Sequence, residues 1–244
     1  MTALEVSDVR KAYAGVVALA GVSLRITAGE CLALVGESGS GKTTLLRLFN
    51  RMVAPDAGAV LVDGTDVGAA DPVALRRRMG YVPQTGGLLP HWRVLRNVAL
   101  VPWLERLPNA EDAARAALEL VGLPPATFAD RRPAELSGGQ RQRVAIARAL
   151  AAQPRYLLLD EAFGALDAIT RADVQAAFLR IRDRLRITTL LVTHDLREAA
   201  LLGDRIAVLR RGALEQVGAP ADVFATPATE YVAELVRKSG VGPT

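Results

Sequence analysis

The chain is almost without lysine. Of its 30 basic residues only Lys11, Lys42 and Lys238 are lysines, so every other cation is an arginine. It also has a single cysteine, two histidines and only 5% aromatic residues among 244. One cysteine excludes an internal disulfide. Cys31 sits in the apolar run CLALVG, where it reads as a small core residue, and a reducing compartment fits. No stretch approaches the roughly 20 consecutive apolar residues that span a bilayer. The start, MTALEVSDVRKAY, carries charge from its fifth residue and lacks the apolar core of a signal peptide. A cytoplasmic protein is expected, with any spanning part supplied by other chains. The net charge of +4 permits anionic ligands or a membrane surface. The arginines are scattered instead of gathered in a tail, and no nucleic-acid partner is expected.

What is present is the composition of a folded globular protein, half of it hydrophobic. LEVSDV, VSLRIT and CLALVG read as early strands separated by glycine-containing turns. KTTLLRLFNRM reads as a helix and GAVLVDG as a short strand. From Pro72 to about Pro133 the chain is helical and broken by prolines, which predicts a helical subdomain, approximately 72–152, inserted in an α/β core. YLLLDE and TTLLVTHD read as buried strands flanking the helix AITRADVQAAFLRIRDRL. Continuous apolar runs separated by helices indicate a mostly parallel sheet covered on both faces. The segment 204–244 supplies two short strands, RIAVLRRG and ALEQVG, and a closing helix near ATEYVAELVRK. No internal repeat, heptad pattern or low-complexity linker interrupts this order.

Two stretches look built for phosphate. GESGSGKT, Gly36 to Thr43, fits G-x-x-x-x-G-K-[ST] between an apolar strand and a helix. Backbone N–H groups of Gly36, Glu37, Ser38, Gly39, Ser40 and Gly41 are positioned to form a nest for phosphate oxygens. Lys42 is expected against the β- and γ-phosphates and the Thr43 hydroxyl on Mg²⁺, with Thr44 completing the turn. In a chain that writes nearly every cation as arginine, a lysine here marks a place that needs a slim point charge. The second stretch is LSGGQ, where Ser137, Gly138, Gly139 and Gln140 open a strongly helical run. Small residues at a helix start leave backbone donors uncovered, which suits an anion.

Carboxylates accompany the loop. Asp160 emerges at the carboxyl end of YLLLDE, the edge at which open α/β sheets bind ligands. It is expected to hold Mg²⁺, while Glu161 orients or deprotonates the attacking water. His194 leaves the next apolar strand and is placed near a γ-phosphate. Gln84 in YVPQTGG, after a short strand and before glycines, is an uncharged amide suited to touching Mg²⁺ or water. His91 in LLPHWRV has no such setting and reads as a surface or partner-contact residue.

Taken in order, GESGSGKT, YVPQ, LSGGQRQRVAIARAL, YLLLDE, GALD and VTHD resemble the ATP-binding subunit of an ABC transporter over nearly the whole chain. The resemblance implies a P-loop NTPase core with a mostly parallel sheet, an N-terminal antiparallel β subdomain and an inserted helical subdomain. It implies two copies, or a copy and a paralogous ATPase, stacked head to tail. ATP on the loop of one would be covered by Ser137, Gly138, Gly139 and Gln140 of the other, with Asp167 of GALD linking the two sites. Tyr13 matches the position at which the family stacks an aromatic ring on adenine. Ala162 departs from the proline that many importers carry after the catalytic glutamate, outside the chemistry. The family docks permease subunits on the proline-broken insert, at the cytoplasmic face of the plasma membrane, and a solute-binding protein on the permease.

GYVPQTGGLLPHWRVLRNVALVPWLERLP, FGALDAITRADVQ and the 202–236 stretch are most similar to ATPases of osmoprotectant importers, which carry glycine betaine, choline or other quaternary amines. Several of those end in paired CBS regulatory domains. This sequence shows none, so sensing of ionic strength by that route is not expected. An exporter ATPase, or an importer ATPase for another small solute, would share the same core motifs. A chromosome or repair ATPase would need a long coiled-coil insertion, a translation-associated relative two motif sets, and a metabolic P-loop kinase would leave LSGGQ without a purpose.

Overall fold

A computed structural model describes residues 1–240. They divide into two compact units, one formed by Met1–Arg76 with 188–240 and the other by Arg77–Ile187. The last residues of the expected closing segment, 241–244, lie outside the described residues.

The first unit opens with β1 (Thr2–Tyr13) and β2 (Val16–Thr27), which alternate buried and exposed residues along much of their length. Ala14 and Gly15 join them, both at positive φ (46° and 86°). That backbone is the type I′ turn whose twist suits a two-residue hairpin. β3 (Cys31–Val35) is buried at every position, as its unbroken apolar run requires. A glycine-rich loop then feeds α1 (Lys42–Phe49). This helix is shorter than the run KTTLLRLFNRM, because Arg51 turns to φ 53° and ends it. β4 (Ala57–Val62) and β5 (Thr65–Asp66) complete an antiparallel sheet of order β2-β1-β4-β5, and α2 (Pro72–Arg77) ends the segment.

The second unit begins with β6 (Met79–Val82), the short strand expected before Gln84, set in a stretch that is otherwise helical. Short helices follow: α3 (Val94–Val98), α4 (Leu100–Leu104), α5 (Ala110–Leu120) and α6 (Pro125–Phe128). α7 (Gly138–Leu150) is the helix against which α3 and α5 pack. β7 (Tyr156–Asp160), wholly buried, runs parallel to β6, with Val82 opposite Leu159. α8 (Ala168–Leu185) starts on the Asp167 side chain, which accepts from the Thr170 N–H, and ends where Arg186 turns left-handed. Phe163 and Phe178 meet at 5.9 Å between ring centroids and are fully buried.

The chain then returns to the first unit. β8 (Thr188–Thr193) and β9 (Arg205–Arg210) flank β3 in parallel, and β10 (Ala213–Gly218) pairs antiparallel with β9. α9 (Leu196–Leu202) is capped by Asp195, which accepts from the N–H groups of Arg197 and Glu198. α10 (Pro220–Ala225), not expected from the sequence, starts with proline at its first position, where the missing N–H costs nothing. α11 (Glu230–Ser239) closes the described chain. Burying leucines such as Leu32, Leu34, Leu190 and Leu191 stabilises this core by roughly 1.5–3 kcal/mol each relative to exposure.

Candidate nucleotide site

In the first unit the loop Gly36–Gly41 leaves the carboxyl end of β3, and its conformation is held by contacts on several sides. Gly36 lies against β9: a Cβ there would stand 2.1 Å from the Leu209 carbonyl oxygen and 2.7 Å from the Ser40 hydroxyl. The Lys42 ammonium folds back and donates to the carbonyls of Gly36 and Glu37, each at 2.7 Å. Lys42 and Ser40 are buried, while Glu37, Ser38 and Gly39 are exposed. Thr43 and Thr44 are half-buried in the first turn of α1. The Gly212 N–H donates to the Ser40 carbonyl at 2.9 Å. A basic group over a curled glycine loop at a helix start is an anion seat in form.

No flexible side-chain end is available to yield at Gly36, since the obstructing atom is backbone. Gly36→Ala is therefore expected to lower the melting temperature by roughly 2–12 °C, from an overpacking cost of about 1–3 kcal/mol, and to weaken nucleotide binding. A melting curve alongside a nucleotide titration checks both. His194 follows Thr193, which is the register partner of Val35, the residue before Gly36. His194, exposed, thus leaves a strand adjacent to the one that carries the loop, about 5 Å away by ordinary strand spacing. Tyr13 stands at the hairpin tip, 45% exposed, with the Lys11 ammonium 5.5 Å from its ring centroid.

The second unit brings Gln84, Asp160 and Glu161 together. The parallel register of β6 and β7 puts Pro83–Gln84 abreast of Asp160–Glu161. The Gln84 amide donates to Glu161 Oε2 at 3.1 Å, and the Tyr81 hydroxyl donates to Asp160 Oδ2 at a long 3.4 Å. Asp160 is buried. Glu161 has φ 48°, a left-handed conformation that costs an L-residue with a Cβ about 1–2 kcal/mol. Strain of this kind concentrates where a side chain must be aimed.

The loop after Gln84 is pinned by a residue that no motif marks. Arg148, in the last turn of α7, donates to the carbonyls of Gly86 and Gly87, both at 2.7 Å. Burial holds its guanidinium below the usual arginine range.

At the other end of α7, Ser137 is the N-cap, and its hydroxyl accepts from the Gln140 N–H at 3.3 Å. The Gln140 side chain accepts from the Ser137 N–H at 3.0 Å, completing a capping box. Ser137 and Gly138 are exposed, but Gly139 is buried against α8. A Cβ on Gly139 would lie 2.1 Å from Thr170 Cγ2, so this glycine has a packing reason in its own unit. Asp167 is tied to Thr170 as well, and the hydrogen bonds from Thr170 hold its carboxyl below the usual aspartate range. His91 is exposed.

A glycine loop of this build between a buried parallel strand and a helix defines the core of a P-loop NTPase fold. A family model described as ABC transporter matches residues 19–164. The choline transport ATP-binding protein OpuBA of Bacillus subtilis is 44% identical over 238 residues, covering 96% of this chain and 62% of that protein. The sulfate/thiosulfate import ATP-binding protein CysA 1 of Chromobacterium violaceum is 46% identical over 235 residues, covering 94% and 64%. The dimeric ATP-binding cassette MJ0796, solved in a post-hydrolysis state with ADP and Pi, superposes with a TM-score of 0.80 at 32% identity, over 89% of this chain and 98% of that one. The chain belongs to the ABC transporter family. It spans a little over six-tenths of the length of the two curated relatives.

Proposed function

We propose that this chain hydrolyses ATP to power an ABC importer, with two copies, or this chain and a paralogous ATPase, closing head to tail over ATP. The observation that carries the reading is the exposed start of α7. Ser137 and Gly138 face solvent at the positive end of a 13-residue helix with no acid in its first turn, an anion-seeking surface. The dimeric cassette with ADP and Pi supports such a closure. In this reading Gly36, Glu37, Ser38, Gly39, Ser40, Gly41, Lys42, Thr43 and Thr44 bind the triphosphate and Tyr13 stacks on adenine. Ser137, Gly138, Gly139 and Gln140 bind the partner's nucleotide, with Asp167 beside them. Glu161 takes the proton of the attacking water, Gln84 orients that water, and His194 contacts the γ-phosphate.

The donors Thr43, Gln84 and Asp160 are hard oxygens of the kind Mg²⁺ selects. Mg²⁺ is bound through few protein oxygens, with phosphates and water completing its shell, and one carboxylate, one hydroxyl and one amide oxygen fit that pattern. When bound, Mg²⁺ would neutralise phosphate charge. The protein's own contribution is to place Asp160 at the end of β7, to aim Glu161 and to hold Gln84 beside it.

The transported solute in this reading is a quaternary-amine osmoprotectant such as glycine betaine or choline, supported by the 44% identity to a choline transport ATPase. A second reading, an anion importer, draws on the sulfate/thiosulfate relative. Permease subunits would dock on the second unit. A cavity of about 500 Å³ there is lined by Trp92, Arg96, Leu100 and Trp103, and Trp103 is 64% exposed. Among the described residues no helix is long and apolar enough to cross a membrane. A peripheral place on the cytoplasmic face, reached through the permease, completes the proposal. In a reconstituted complex, ATPase activity is expected to rise severalfold with a betaine- or choline-loaded binding protein. Stimulation by a sulfate-loaded one alone would overturn the substrate assignment.

A further inference from the structure

The phosphate loop is held from within by Lys42, but its second residue is also held from outside. The Glu37 N–H donates to the Tyr231 hydroxyl at 3.2 Å, across 194 residues of sequence. Tyr231 lies in the first turn of α11, is almost fully buried, and has the Arg210 guanidinium 4.5 Å from its ring centroid. Burial holds its hydroxyl in the neutral form to higher pH than usual. Two neighbouring contacts come from the same C-terminal segment: Leu209 backs Gly36, and the Gly212 N–H holds the Ser40 carbonyl. Gly36, Glu37 and Ser40 are thus each braced by residues beyond 204.

The Gly36–Glu37 peptide shows why this brace matters. Its carbonyl, that of Gly36, accepts from Lys42 and its N–H, that of Glu37, donates to Tyr231, so the planar unit is tied at both edges. A ligand phosphate competes for the Lys42 ammonium, and the inner tie weakens when it does. The outer tie turns the Glu37 N–H, expected from the sequence among the nest donors, to Tyr231 instead of to phosphate, so it persists. We infer that Tyr231 is a positioning residue for nucleotide binding: it fixes the Gly36–Glu37 peptide, and through it the shape of the loop, by a hydroxyl supplied from α11. This rests on the nucleotide-binding reading above.

Tyr231→Phe tests it, because phenylalanine keeps the ring, its burial and the stack on Arg210 and removes only the acceptor. The expected result is a three- to tenfold weaker affinity for ATP and for ADP, the size of one lost neutral hydrogen bond. Saturated turnover should fall less than affinity does. Hydrogen exchange at the Glu37 amide should quicken about tenfold in the protein without nucleotide, while amides in β10 and α1 keep their rates. A second variant, Arg210→Met, leaves the hydroxyl in place and should change Glu37 exchange less than Tyr231→Phe does. Unchanged Glu37 exchange in Tyr231→Phe would overturn the inference, whatever happens to affinity. So would accelerated exchange with unaltered ATP and ADP affinity, or a general rise in exchange across the first unit, which would mark a merely structural tyrosine. If the wild-type protein bound no ATP, the functional reading would fail instead, and the exchange result would still report on the brace.

Discussion

Glu161→Gln is expected to bind ATP with near wild-type affinity and to hydrolyse it about 10²- to 10⁴-fold more slowly, the usual contribution of a positioned general base. The substitution is a clean one in this setting. Glutamine has the same length and branching, and its carboxamide oxygen accepts from the Gln84 amide as Glu161 Oε2 does at 3.1 Å. The left-handed backbone at φ 48° is no harder for glutamine than for glutamate. What disappears is the anion, and with it the ability to take a proton. If ATP holds two copies together and its cleavage releases them, the variant should accumulate as a nucleotide-bound dimer, visible by size-exclusion chromatography after incubation with ATP. Single-turnover hydrolysis gives the rate. A variant cleaving ATP at the wild-type rate would remove Glu161 from the proposed role and leave its strained backbone without a function.

How much of this was legible in the sequence depends on the range of the interaction. The buried strands were plain, since CLALV, YLLLD and TTLLVT are built around continuous apolar runs with no alternating polar side, and each proves buried along its whole length. α8 begins and ends as its residues indicate, because its cap is local: Asp167 reaches the Thr170 N–H three residues on. The grouping of Gln84 with Asp160 and Glu161 followed from both lying just past strand ends. The contacts that hold these groups in place were not legible. Arg148 grips Gly86 and Gly87 from about 60 residues away, and Tyr231 reaches Glu37 from the far end of the chain. Neither residue type carries a mark of its partner. The strain at Glu161 has no sequence signature either, because glutamate is not a residue that signals positive φ. Gly139 is the instructive ambiguity. A glycine that exposes a backbone donor and one that admits a neighbouring methyl look the same in sequence, and the 2.1 Å approach of Thr170 Cγ2 supplies the second reason here.

Ser137→Arg is expected to lower ATP turnover at least about 10²-fold, comparable to losing a key transition-state donor, while leaving the affinity of the isolated monomer for ATP unchanged. The fold should tolerate it. Ser137 is exposed, and what it gives α7 is a cap on the Gln140 N–H, worth about 1 kcal/mol. A guanidinium at the positive end of a helix adds a further cost of about 0.3–1 kcal/mol. Neither is enough to unfold a domain of this size, so loss of turnover in a protein that still binds ATP would place the defect at an interface. Mixing makes the test decisive. Combine Ser137→Arg protein with Lys42→Ala protein, each inactive alone. In a mixed dimer with composite sites, one pocket carries both lesions and the other pairs an intact Lys42 with an intact Ser137. With random pairing, half the dimers are mixed and each has one sound site, so roughly a quarter of wild-type turnover should return. If Ser137 served the nucleotide of its own chain, every pocket in the mixture would still carry a lesion and no activity would return.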